Sequence, residues 1–232
     1  MSRRTIFVKT HLGMGDNIVH NGMIRKIAKE NSDCEIFTAA KHYYFDNVKY
    51  MYRDVPNINV VSVVEDNGLQ HHMKTNNYDQ IISTHFGDSV PYRYEKYFDN
   101  AFYMMIGMDP KVKIDYFYLD RDSNLEDEVY KKLITDKGIE DYVFVHEKKD
   151  NQILIDRNKI GTDLPVVVAE PEYGIFELLK VIENAKSVHV VSSCFLSLFM
   201  CKKYNENFFA HMYCDRAFIT PYIQQHEINV IL

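Results

Sequence analysis

The chain has 232 residues, 46% of them hydrophobic and 26% charged, the balance of a soluble globular protein with material for one large domain or two small ones. Its formal net charge of -6 excludes bulk nucleic-acid binding, which needs a surplus of Lys and Arg on one face; an anionic ligand must be held by a few placed groups. No apolar run reaches the ~18–20 residues that span a bilayer, no signal peptide is readable, and the four cysteines form no C-x-x-C pair, so buried thiols in a reducing, cytoplasmic setting are expected.

Residues 5–9 (TIFVK) read as a short buried strand, followed by a glycine-bearing turn over 10–16 (THLGMGD). Residues 17–30 carry Ile18, Val19, Met23, Ile24 and Ile27 at helical spacing. Strand, Gly-rich turn and helix form the opening of a doubly wound α/β unit. Strands are expected over 34–39, 58–64 and 78–83, with a helix over 43–52 and a long aromatic-rich one over 91–105. The pair His71-His72 lies in a polar stretch and reads as a solvated loop. Residues 114–119 look like a strand or the linker between halves. A second series then begins: a helix over 125–137 capped from residues 120–123, strands at 142–146 and within 163–169, a helix over 173–185, and a strand at 187–191. A helix opening at Ser192-Ser193 and closing strands at 207–213 and 229–232 complete it. This alternation predicts an α/β fold of two tandem Rossmann-like units with mostly parallel sheets, divided as 1–113 and 114–232.

The sharpest local signal is Gly13-x-Gly15-Asp16 between a strand and a helix. The glycines permit a tight turn and close approach of a ligand to a helix N-terminus, whose free N–H groups favour anions. It is not the dinucleotide fingerprint, since Ile18 stands where G-x-G-x-x-G needs its third glycine, and no Walker motif is present. Asp16 reads as a helix N-cap or as a base aimed into a cleft. Asp120-Arg121-Asp122 follows a strand-like segment, the setting in which two carboxylates share a divalent ion on a diphosphate, or else a helix start enriched in acids. His85, with Asp88 nearby, follows a strand end. His189 and His211 lie in apolar strands and read as packing residues. Tyr92, Tyr94, Tyr97 and Tyr103 offer rings for sugar stacking or, on an amphipathic helix, for packing.

The run His11-Leu12-Gly13-Met14-Gly15-Asp16-Asn17-Ile18 resembles the G-x-G-D turn that opens the heptosyltransferase-like glycosyltransferases of the GT-B fold. Residues 177–185, ending Ile182-Glu183-Asn184-Ala185, followed by the strand Ser187-Val188-His189-Val190-Val191 and the turn Ser192-Ser193, resemble the late segment of the same family. Ser192-Ser193-Cys194 stands where the family has Asp-Ser-Gly. The resemblance implies a metal-independent glycosyltransferase moving a sugar from a nucleotide-sugar donor to a hydroxyl acceptor on a glycan or glycoconjugate, with no further cofactor. Asp16 is then the general base, with His11, Gly13, Gly15 and His85 on the acceptor side. His146, Lys148, Lys149, Arg157, Glu183, Ser192 and Ser193 are then the donor-binding groups. Two alternatives stand beside it: a metal-dependent GT-A glycosyltransferase working through Asp120 and Asp122, and a non-catalytic nucleotide- or sugar-binding module.

Overall fold

The computed structural model describes residues 3–84, 98–149, 152–153, 155–202, 207–212 and 229–231, although the side chains of 98, 148, 149 and 153 are not described. The chain divides into two units, Met1–Asp120 and Arg121–Leu232.

In the first unit, strand β1 (Arg4–Lys9) leads into helix α1 (Met14–Glu30). Strand β2 (Cys34–Lys41), helix α2 (Phe45–Met51), strand β3 (Ile58–Val63), helix α3 (Asp66–Thr75) and strand β4 (Gln80–Ser83) follow. All strand pairings are parallel, in the order β3-β2-β1-β4. Strand β1 is central, which is why Ile6, Phe7 and Val8 are all buried, as strands covered on both faces require. Helix α1 buries Ile18, Val19, Met23, Ile24 and Ile27, each contributing roughly 1.5–3 kcal/mol if fully removed from water. Phe7, Leu12, Ala39, Val63 and Leu69 form a cluster that Tyr78 and Met73 close.

Helices α4 (Phe98–Met104) and α5 (Val112–Asp115) complete this unit. Lys113 Nζ pairs with Asp99 where both side chains are buried, and Tyr103 donates its hydroxyl to Val19 O at 2.6 Å. Gly22 lets α5 come close: a Cβ there would lie 2.4 Å from Val112 O. The expected strand over 114–119 is therefore corrected. Its first residues belong to the one-turn helix α5 and the rest has no regular structure, held to α1 through Tyr118 N donating to Asn21 Oδ1 at 3.1 Å.

The second unit contains helix α6 (Ser123–Leu133), strand β5 (Val143–His146), a short antiparallel pair β6 (Lys148–Lys149) and β7 (Gln152–Ile153), and strand β8 (Val166–Val168). Helix α7 (Leu179–Glu183), strand β9 (Ser187–Val191), helix α8 (Cys194–Cys201) and strands β10 (Phe208–His211) and β11 (Asn229–Ile231) follow. Five of these strands pair in parallel, in the order β11-β10-β9-β5-β8. Helix α8 is apolar on all sides, with every residue from Phe195 to Cys201 buried, the pattern of an interior helix. The helix expected over 173–185 is confined to α7, because Pro171 and Gly174 leave the approach to it in turns.

In both sheets the strand order reverses beside the first strand, between β1 and β4 in one and between β5 and β9 in the other. Ligands of open α/β sheets collect at the carboxyl ends of the strands at such reversals. No helix among the described residues is long and apolar enough to cross a membrane.

Candidate functional site

In the first unit the reversal lies between the turn after β1 and the end of β4. Helix α1 starts at Met14, three residues before the sequence pattern suggests. Gly13 is its N-cap, in an extended conformation and without a side-chain capping bond. The N-cap reading of Asp16 is therefore corrected: Asp16 sits inside the first turn, together with Gly15. The turn is closed by Asn17, whose backbone N and Nδ2 donate to Gly13 O at 3.0 and 2.9 Å.

The Asp16 carboxylate is half-buried and has no hydrogen bond or ion pair among the described residues. Burial without a partner disfavours its charged form and raises its pKa to about 6. The helix N-terminus works the other way, and burial wins. Asp16 is thus mostly ionised at neutral pH yet basic enough to take a proton. Beside it, Thr10 Oγ1 and Asn17 Oδ1 are buried without hydrogen-bond partners among the described residues, polar atoms that call for water or a ligand. His11 is half-buried, its ring 5.4 Å from that of Phe102. His85, Asp88, Tyr92, Tyr94 and Tyr97 lie outside the described residues. Tyr103 is fully buried and serves packing.

In the second unit the reversal lies between His146, the last residue of β5, and Ser192-Ser193, which follow β9. Ser193 is the N-cap of α8, yet its hydroxyl makes no capping bond. It faces His146 Nδ1 at 3.1 Å instead. The His146 ring stacks on Phe195 with centroids 4.4 Å apart, and burial lowers its pKa to about 4. A neutral ring lets Nδ1 accept the Ser193 O–H. The first N–H groups of α8 are left without a side-chain cap, the arrangement that receives anions at helix N-termini.

Other residues expected on the donor side are engaged within the protein. Arg157 donates from Nε and Nη2 to the two oxygens of Glu147, each at 2.9 Å, and Glu147 is only 4% exposed. Sequence reasoning missed Glu147; its place directly after His146 at a strand end was the one available signal. Glu183 accepts from Arg121 Nη1 on both oxygens at 2.8 Å and from Lys202 Nζ at 2.9 Å. The backbones of Lys148 and Lys149 form β6, and their side chains lie outside those described.

Asp120 pairs with Arg53 at 3.2 Å, while Asp122 caps α6 by accepting from Leu125 N at 3.2 Å. No three His, Cys, Asp or Glu side chains gather as a metal site among the described residues. His71 and His72 belong to α3 rather than a loop, and His72 Nε2 lies 2.6 Å from the Tyr78 hydroxyl. His189 and His211 are buried on neighbouring strands with their rings hydrogen-bonded at 2.9 Å, as packing residues. Cys34, Cys194 and Cys201 form no disulfide, and Cys34 and Cys201 are buried; Cys214 lies outside the described residues.

No protein-family profile matches the sequence, and no curated protein sequence matches it. Solved structures do. A glycosyl transferase family 9 protein from Veillonella parvula aligns over 100% of this chain and 87% of its own, with a TM-score of 0.64 at 10% identity. The E. coli ADP-heptose lps heptosyltransferase II aligns over 98% of this chain and 90% of its own, with a TM-score of 0.54 at 10% identity. The two-unit, parallel-sheet architecture of this chain is thus the fold of those two glycosyltransferases.

Proposed function

We propose that the protein is a glycosyltransferase that moves a sugar from a nucleotide-sugar donor to a hydroxyl acceptor. The observation that carries this reading is Asp16, a half-buried carboxylate raised to about 6 by burial at the strand-order reversal of the first sheet. Two buried orphan oxygens of Thr10 and Asn17 lie in the same segment. The shared fold with two glycosyltransferase structures supports it.

In this reading Met1–Asp120 handles the acceptor. Asp16 takes the proton of the acceptor hydroxyl as its oxygen attacks the anomeric carbon. Arg121–Leu232 handles the donor. The uncapped N–H groups of α8, with Ser192 and Ser193, hold the diphosphate and stabilise the charge that develops as it departs. His146 orients the Ser193 hydroxyl. Lys148 and Lys149 follow His146 by two and three residues and are assigned to the phosphates. Arg157 reaches a phosphate only by sharing its guanidinium with Glu147.

Metal independence is part of the proposal. Asp120 and Asp122 are occupied by Arg53 and by the α6 cap, so a divalent ion there has to displace both. The deciding experiment is a thermal-shift screen of the intact protein against nucleoside diphosphates and nucleotide sugars, followed by transfer assays with the hits in EDTA. Stabilisation by a nucleoside diphosphate with EDTA-resistant transfer is the expected result. Binding without transfer to any hydroxyl acceptor points to a binding module, and loss of transfer in EDTA to the Asp120–Asp122 alternative.

A further inference from the structure

Helix α1 carries a histidine on its buried side, one turn beyond Asp16. His20 is fully buried, and both of its ring nitrogens are engaged. Nδ1 lies 2.6 Å from Asp16 O, and Nε2 lies 2.8 Å from Thr84 Oγ1. Thr84 is equally buried; it follows β4 directly and its backbone N donates to Lys9 O at 2.9 Å. The His20 ring packs on Phe102 with centroids 4.4 Å apart.

The chemistry of these partners fixes every proton. A carbonyl oxygen only accepts, so Nδ1 carries a hydrogen and donates it to Asp16 O. Burial lowers the pKa of His20 to about 3; the bond to Asp16 O works against this and the neighbouring His11 adds to it, but burial wins. The ring is therefore neutral and Nε2 is bare. Nε2 must accept, so the single hydroxyl hydrogen of Thr84 goes to His20 and not to Lys9 O, 3.3 Å away. The result is a directed chain, Thr84 O–H to His20 and His20 N–H to Asp16 O. It ties the first turn of α1 to the ends of β1 and β4, across the reversal in strand order.

We propose that His20 and Thr84 are positioning residues that hold the Asp16 turn in place, and with it the carboxylate in its half-buried setting. The proposal rests on the reading of Asp16 as the base for its purpose but not for its geometry. Neither residue touches the reacting atoms. Their effect passes through the Asp16 backbone, where a shift of about 1 Å is enough to cost ~10²-fold in rate. A histidine is suited to this place because it alone offers one donor and one acceptor on a rigid ring while staying uncharged when buried.

The test needs no substrate. In the intact protein labelled with 13C and 15N, the ring nitrogens of His20 are expected to show the Nδ1-protonated tautomer, unchanged down to pH 5. The Asp16 carboxyl 13C signal should titrate with a midpoint near 6. In Thr84→Val that midpoint should fall by at least one pH unit as water reaches the released carboxylate. His20→Asn keeps a donor for Asp16 O and should retain more of the raised midpoint than His20→Ala. An Nε2-protonated His20 overturns the proposal in the wild-type protein, whatever the variants do. An unchanged Asp16 midpoint in folded Thr84→Val overturns it as well. Wild-type transfer by Asp16→Asn instead sinks the base assignment, and leaves the tautomer and midpoint results standing.

Discussion

The Oδ2 atom of Asp16 lies 2.7 Å from where a Cβ on Gly13 would be. The carboxylate folds back over the turn that precedes its own helix, into room that only glycine leaves. This close approach, rather than a left-handed backbone, is what the first glycine of G-x-G-D provides; Gly13 has φ of -64°. Alanine at position 13 must push the carboxylate aside. Gly13→Ala is expected to lower transfer by about 10–10²-fold through misplacement of the proposed base, with little change in thermal midpoint. Wild-type transfer by this variant would show that the carboxylate position does not matter.

Asp16→Asn preserves shape and removes the proposed base. Transfer should fall by at least about 10²-fold, the usual worth of a general base, with nucleoside-diphosphate affinity unchanged in calorimetry. As the proposed base, Asp16 acts only when ionised. Because burial raises its pKa to about 6, kcat/KM should fall as pH drops through 6 and level off above 7. An acid limb near the ordinary carboxylate value of about 4 would assign the limb to another group.

Much of this arrangement was legible in the sequence, for identifiable reasons. Strands β1, β3, β5 and β9 are apolar runs bounded by polar residues, and Gly13-x-Gly15-Asp16 marks the strand-to-helix junction. The start of α1 was misplaced because two glycines read as turn, although the helix begins between them. Helix α3 was missed because Leu69 is its only buried residue, which leaves no periodic stripe. His20 was invisible as a functional candidate: its four-residue spacing from Asp16 is a helical signal, but Thr84, its second partner, is 64 residues away. Arg157 was visible as a cation, whereas its pairing with Glu147 follows from how the segment after β5 folds back.

Gly22 tests the packing of α1 on α5. A Cβ at this position meets Val112 O at 2.4 Å and Lys113 O at 3.1 Å, both backbone atoms that move only with the whole turn. Gly22→Ala gains helix propensity, yet overpacking is expected to dominate, with a net loss of about 1–3 kcal/mol in denaturant unfolding. An equal or higher stability would mean that α5 is free to move away.

Arg157→Ala separates structure from ligand binding at the second unit. Removing the guanidinium leaves Glu147, 5% exposed in its side chain, as a buried charge without its bidentate partner. Such a loss destabilises strongly when both partners are buried. Arg157 is itself half exposed, so solvent screening reduces the expected cost to about 1–2 kcal/mol. Combining it with Glu147→Gln should restore most of the lost stability. If stability is unchanged and only nucleoside-diphosphate affinity falls, Arg157 is a phosphate ligand first and a partner of Glu147 second.

Acid should unfold this protein through its buried histidines. Burial lowers the pKa of His20 to about 3 and those of His146, His189 and His211 to about 4, against about 6.5 in an unfolded chain. The neighbouring His211 adds to the effect on His189, and Lys159 adds to that on His211 while Asp156 opposes it. Between pH 6.5 and 4 the unfolded state therefore binds protons that the folded state refuses, and stability falls as pH falls. Asp16 acts in the opposite direction, since its raised pKa makes the folded state bind a proton between about 6 and 4. Four histidines outweigh one carboxyl, and each net proton is worth about 1.4 kcal/mol per pH unit. Denaturant midpoints should thus decline steadily from pH 7 to pH 5, before most carboxylates titrate. His146→Gln should flatten that decline by about one proton, since its amide cannot take up the charge. A midpoint that holds or rises between pH 7 and pH 5 would mean that these rings accept protons in place.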